Sequence, residues 1–202
     1  MPTISRLFDD YSSAKQALRA LVANGIPEPD ISIVANNSDN FYNDRSNLVD
    51  RDNDGVDDRA EGAGTGGGVG AVAGGALGLL TGLGIMAIPG VGPVVAAGWL
   101  ATTALGALAG GAAGSIIGAL VESGVPEEDA HVYAEGLRRG GVLLTVRTDS
   151  ATTTNIENIL DQYAVNTRDR AEAYRRTGWT SFDAASKPYT ADQIRAERDL
   201  RP

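Results

Sequence analysis

The stretch Gly62-Ala-Gly-Thr-Gly66-Gly-Gly-Val-Gly70-Ala-Val-Ala-Gly74-Gly-Ala-Leu-Gly78-Leu-Leu-Thr-Gly82 carries a glycine at every fourth position. Gly98, Gly106, Gly110, Gly114 and Gly118 repeat the spacing, with Thr102 at the missing step. Residues four apart share one face of a helix, so each series reads as a groove bare of side chains along which another backbone can approach. No Asp, Glu, Lys or Arg lies between Glu61 and Glu122. Pro89-Gly-Val-Gly-Pro93 reads as a turn that divides this block into arms 62–88 and 93–121. At 1.5 Å per residue each arm would extend about 40 Å as a helix, enough for a hydrocarbon core of about 30 Å. The expected element is a long Gly/Ala-rich α-helical hairpin, a glycine zipper.

Such a hairpin needs cover. Glycine inside a helix costs roughly 1 kcal/mol relative to alanine, and close backbone packing has to offset that. The flanking sequence is too short to bury both arms, and soluble monomers rarely expose apolar patches beyond a few hundred Å². Two coverings are expected: membrane lipid, or the hairpins of other copies in a homo-oligomer. The arms are only mildly hydrophobic, their flanks are acidic at Asp57, Asp58, Glu61, Glu122, Glu127 and Glu128, and no Lys or Arg excess fixes an orientation. The pattern therefore speaks more strongly for helix association than for a particular solvent.

Outside the block the chain alternates. Thr3 to Phe8 reads as a strand, and Ala14, Ala17, Leu18, Leu21 and Val22 recur at helical spacing between a cap at Ser12 or Ser13 and an end at Asn24-Gly25. Ile31-Ser-Ile-Val-Ala35 completes a β-α-β unit. The pattern resumes after the block with a helix from Ala130 to Arg139, the strand Val142-Leu-Leu-Thr-Val-Arg147, a helix from Thr154 to Tyr163, and a weak strand from Val165 to Tyr174. The expected fold class is α+β, a ferredoxin-like sandwich with helices on one face of its sheet, split by the hairpin. Its parts are a split domain over 1–36 and 124–175, an acidic loop over 37–61, the hairpin over 62–121, and a tail over 176–202. In the tail, Trp179, Phe182 and Tyr189 are expected to dock on the chain's own domain, and Thr190-Ala-Asp-Gln193 reads as a capping box.

The loop Asp50-Arg-Asp52-Asn-Asp54-Gly55-Val-Asp57-Asp58-Arg-Ala-Glu61 fits a twelve-residue calcium pattern. Asp50, Asp52 and Asp54 offer carboxylates, Gly55 the sharp turn, Val56 its carbonyl, Asp58 a further ligand, and Glu61 two closing oxygens. Position eight is Asp57 where a helix-loop-helix pair wants an aliphatic residue, and the segment before the loop is too polar for an entering helix. A single Ca2+ loop is one reading and a solvated acidic linker the other. A bound ion would neutralise charge at the foot of the first arm.

A net charge of -9 and a pI near 4.6 disfavour nucleic acid as a partner. The 202 residues include no cysteine, which removes thiolate catalysis and the common zinc sites. Met1 to Asp10 is too polar for a secretory signal, so the expected location is cytoplasmic, at the inner face of the cell membrane if the hairpin inserts. His131, the one histidine, reads as a surface residue beside Glu127 and Glu128, and no nucleophile with an oriented base is visible. Glycine-rich matches to nucleotide motifs lack the preceding strand, the later acidic residue and a following Lys-Ser or Lys-Thr. An enzyme is not expected.

The exit Gly124-Val-Pro-Glu-Glu-Asp-Ala130, the return Tyr133-Ala-Glu-Gly-Leu-Arg-Arg-Gly-Gly-Val-Leu-Leu144, the leading β-α-β and the long Ala/Gly block together resemble the bacterial general stress protein family with a heat-induced YflT-type domain. The resemblance runs from about residue 3 to 146. It implies a stress-response role without enzymatic activity and carries over no site residue. The expected function is a stress-associated structural protein whose hairpin drives membrane association, self-assembly or both. The alternative is a regulatory module that responds to calcium or a small ligand.

Overall fold

Val142-Leu-Leu-Thr-Val-Arg147 is buried at every position up to Val146, and it takes an interior place in the sheet. The computed structural model describes residues 2–38, 84–100, 116–149 and 151–199. Along the chain these form β1 (Thr3–Phe8), α1 (Tyr11–Ala23), β2 (Ile31–Asn36), β3 (Gly84–Ile88), β4 (Gly92–Ala97), α2 (Ile116–Glu122), α3 (Glu127–Arg138), β5 (Val142–Arg147), α4 (Thr153–Asp161), α5 (Thr167–Arg176) and α6 (Ala191–Asp199). The fold is α+β. Its five strands are ordered β1-β5-β2-β4-β3 with antiparallel neighbours throughout. The β1-α1-β2 unit is thus split, with β5 inserted between its two strands.

Side-chain alternation sets two cores. Ile4, Phe8, Ile33, Val95, Leu144 and Val146 face α1 and α4, while Leu7, Val34, Val94, Ala96 and Leu143 face α2 and α3. Helices therefore cover both faces of the sheet, not the single face expected from the sequence. The reason lies in β2 and β5: Ile31–Asn36 is buried at every position, so each face needs a cover. Across three strands Ser5, Thr145 and Ser32 lie in register on the α3 side, all buried and each with a partner: the Ser5 and Thr145 hydroxyls are 3.0 Å apart, and Ser32 Oγ donates to the Ala97 carbonyl at 2.8 Å.

Three local expectations change. The arms flanking Pro89–Pro93 are strands over Gly84–Ile88 and Gly92–Ala97, so the turn closes a β-hairpin and not a helical one. Ile85, Ile88, Val94 and Val95 are β-branched, glycine is a poor helix former, and β2 offers an edge on which β4 can pair. The segment Val165 to Tyr174, expected as a weak strand, contains most of α5. Asn166 caps that helix, accepting from Arg168 and Asp169 main-chain N–H groups at 3.0 and 3.2 Å, and only Ala171 and Tyr174 are buried on it. Finally α1 is capped by Asp10, whose carboxylate accepts from the Ser13 N–H at 2.9 Å, and not by Ser12 or Ser13. Burial pushes the Asp10 carboxyl up, but hydrogen bonds from Ser13 and Ser12 outweigh it and hold the group below the usual aspartate range.

The outer edge of β1 is closed by the chain itself. Tyr133 Oη donates to the Ser5 carbonyl at 2.9 Å and the Val165 N–H to the Leu7 carbonyl at 2.9 Å. Gly136, in the middle of α3, lets that helix lie on β1, since a Cβ there would collide with Leu7.

Candidate functional site

The glycine-rich stretches meet the sheet at one end, where β3 begins and β4 finishes. Gly84 pairs with Ala96 there, two residues from Gly98. Gly98 has φ +89, outside the helical region, and a Cβ on it would run into the Ile31 carbonyl oxygen and lie 2.8 Å from Ser32 Cα. It is a corner residue pressed against β2, which corrects its expected place on a helix-packing groove. Immediately after it, Trp99 Nε1–H donates to the Asp30 carbonyl at 3.3 Å, and the Arg147 guanidinium stands 4.9 Å from the centre of the indole. Arg147 also donates to the Pro29 carbonyl and to Asp30 at 3.2 and 3.4 Å. Leu100 is fully buried in the α2–α3 core. The root of the second glycine series is therefore anchored by a Trp–Arg–Asp cluster.

Of the other expected packing positions, Gly118 lies in α2 on its exposed side, away from the buried Ile116, Ala119 and Leu120. Gly62, Gly66, Gly70, Gly74, Gly78, Gly82, Gly106, Gly110 and Gly114 fall outside the described residues. So do the expected calcium ligands Asp50, Asp52, Asp54, Val56, Asp58 and Glu61. Among the described residues no group of three or more His, Cys, Asp or Glu converges on a metal position, and no helix is long and apolar enough to cross a membrane.

The tail docks on the body. Phe182 is buried in the core formed by β4, α2 and α3, and its N–H donates to His131 Nδ1 at 3.2 Å, which gives the lone histidine a structural partner. Trp179 meets Tyr174 edge-on at 5.7 Å. Thr190 and Gln193 form the expected reciprocal capping box at the start of α6, with bonds of 2.9 and 3.3 Å. Glu135, 1% exposed, sits between Arg139 at 2.7 Å and Arg138 at 3.3 Å, and Arg139 reaches on to Glu197 at 3.1 Å. The same two guanidiniums cover the Tyr189 ring, and Arg139 also covers Tyr174 at 4.4 Å. Burial opposes the Arg139 charge, but the hydrogen bond and charge of Glu135 outweigh it and bind its proton more firmly than usual. The sequence carried a signal for this cluster, Glu135 with Arg138 and Arg139 at spacings of three and four residues on one helix.

Two clefts flank the start of α3 and share Pro126 and Asp129. One, about 180 Å³, lies against β1 and is lined by Ser5, Arg6, Tyr133 and Glu157 among others; the second, about 440 Å³, opens toward α5 between Glu128, Arg168 and Arg175. Arg6 is held by Asp161 at 2.5 Å. Burial, with the neighbouring Glu128 charge, raises the Asp129 carboxyl above its usual value, and burial raises the Tyr133 hydroxyl likewise. Of the charges lining these clefts, Arg6 is paired with Asp161 and Arg175 with Glu128, the latter at 2.7 Å.

No family model matches the chain, and no curated protein or solved structure matches it either.

Proposed function

We propose that this chain is a non-enzymatic structural protein that assembles with copies of itself through its two glycine series, the α+β domain serving as the clamp that holds their roots side by side. The observation that supports this is the register of the β3–β4 hairpin. Gly84 opposite Ala96 puts the residues that follow the first series next to those that lead into the second. A helix pair with small residues every fourth position needs that proximity. Gly118, on the exposed side of α2, is placed where a neighbour could reach it. A link to stress response rests on the family resemblance, and the ferredoxin-like description rests on the split β-α-β unit.

The test is the mass of the protein purified without detergent, beside membrane fractionation. A discrete large soluble particle that shrinks in the Gly70→Leu, Gly74→Leu variant is the expected result. Material that stays in membranes through carbonate washing would make lipid the covering and the inner membrane face the location. An unchanged particle in the double variant would sink the zipper reading.

The acidic loop over 50–61 carries a second reading, a calcium-responsive module, because every side-chain position of the ligand pattern is filled at once. Millimolar calcium should then raise the melting temperature, and Asp52→Ala with Glu61→Ala should abolish the rise. No rise in the unaltered chain removes this reading.

A further inference from the structure

We propose that the cleft between α3 and α5 binds a small zwitterion, with Arg168 holding its carboxylate and Asp129 its ammonium group. The inference stands apart from the glycine series and from the acidic loop.

The floor of the cleft is apolar and its rim is charged. Val132 on α3 and Ala171 on α5, 1% and 5% exposed, lie at its base. At about 440 Å³ it falls in the size range of small-ligand sites. On the rim Arg175 is bonded to Glu128 at 2.7 Å, and Glu172 is engaged by Arg176 at 3.7 Å. One charge of each sign is left over. Asp129 is partly buried and, among the described residues, neither accepts a hydrogen bond nor joins an ion pair. Arg168 gives its main-chain N–H to the Asn166 cap, while its exposed guanidinium pairs with no carboxylate among the described residues. The Arg168 charge lies near enough to favour the ionised form of Asp129, yet the two side chains do not meet.

A gap between two opposite charges selects a molecule that carries both in the reverse order. A guanidinium takes a carboxylate through parallel N–H donors, and an ammonium group gives its protons to a carboxylate. The link between the two ligand charges would then lie over Val132 and Ala171, which suits a short aliphatic chain. Other ligands fit less well. A divalent cation would meet Arg168 and Arg175 and find one unpaired carboxylate, too few oxygens for its shell. A simple anion would meet Asp129, Glu128 and Glu172. Asp129 itself points to an occupant, because burial and the Glu128 charge disfavour its ionised form and no hydrogen bond within the chain offsets them. A carboxyl kept under that strain at the lip of a cleft is a candidate binding group on physical grounds.

Calorimetric titration of the full-length chain at pH 7 with linear amino acids, from glycine through β-alanine to 6-aminohexanoate, tests the site. One chain length should bind saturably and raise the melting temperature with the same concentration dependence. Acetate and methylammonium, each carrying half of the charge pattern, should bind at least about tenfold more weakly than that zwitterion. Asp129→Asn and Arg168→Gln should each weaken its binding by a similar factor. No saturable binding by any member of the series overturns the proposal, as does acetate or methylammonium binding as tightly as the best zwitterion. Undiminished affinity in either variant overturns it too. Should Arg168→Gln lose its native circular dichroism, Asp129→Asn decides the matter by itself, since that change relieves the fold of a disfavoured charge.

Discussion

Asp129 shows how a single carboxyl can work against the fold that holds it. It stands in the first turn of α3, where a negative charge is favoured by the helix dipole, yet burial and the Glu128 charge raise its proton affinity above that of an ordinary aspartate. A group whose folded pKa exceeds its unfolded value contributes stability that is fully present below the unfolded value, about 3.9, and is lost as pH rises through the folded one. At neutral pH the ionised Asp129 is thus a burden. Asp129→Asn should raise the melting temperature at pH 7 by a few degrees, and the gain should fade to nothing near pH 3, where both chains carry a neutral side chain. A gain that stays constant with pH would refute the electrostatic cause.

Between residues and molecule, the elements differ in how plainly the sequence announces them. The strand at Thr3–Phe8, the helix α1 and the strand Val142–Arg147 were legible because apolar spacing of two or four residues coincides with a bounding Gly, Asn or Asp. The segment with Ile85, Ile88, Val94 and Val95 was not, because the every-fourth-glycine rhythm runs up to Gly82 and resumes at Gly98, and suggested one period for everything between. The prolines and β-branched residues were the better guide, and the free side of β2 decided the outcome. For α5, Asn166 followed by Asp169 was a readable helix start that the scattered apolar residues obscured. Of the candidate site, the glycine spacing and the docking aromatics of the tail could be read from sequence, and so could the four-residue spacing of Glu135 and Arg139; the reach of Arg139 to Glu197 and the Trp99–Arg147 contact could not, because each joins residues distant in the chain. The β-hairpin carries its own prediction. Gly98→Ala should destabilise the protein by at least about 2 kcal/mol in urea unfolding, from a left-handed backbone and a collision with β2, whereas Gly25→Ala, at a similar φ of 85 but with open space around it, should lose about 1 kcal/mol. Equal losses would mean that the contact with Ile31 is not a constraint.

For the molecule as a whole, the sheet joins elements that are remote in sequence. β1 and β2 never touch as neighbours; both lean on β5, which follows the entire glycine-rich block. That arrangement has a consequence for synthesis on the ribosome. The uncharged stretch from Gly62 to Val121 emerges ahead of the strand that unites the sheet, and at roughly 5–20 residues per second synthesis from Gly62 to Arg147 takes on the order of ten seconds. Ribosome-held chains ending shortly after Gly141 should be degraded by protease along their whole length, while chains extended well past Arg147 should protect Thr3–Phe8 and Ile31–Asn36. Early protection in the shorter chains would show that the first two strands find order unaided. The placing of β5 thus predicts that the newborn chain depends on help to stay in solution, so that depleting chaperones should lower the yield of this protein during its manufacture, before any demand on its finished form.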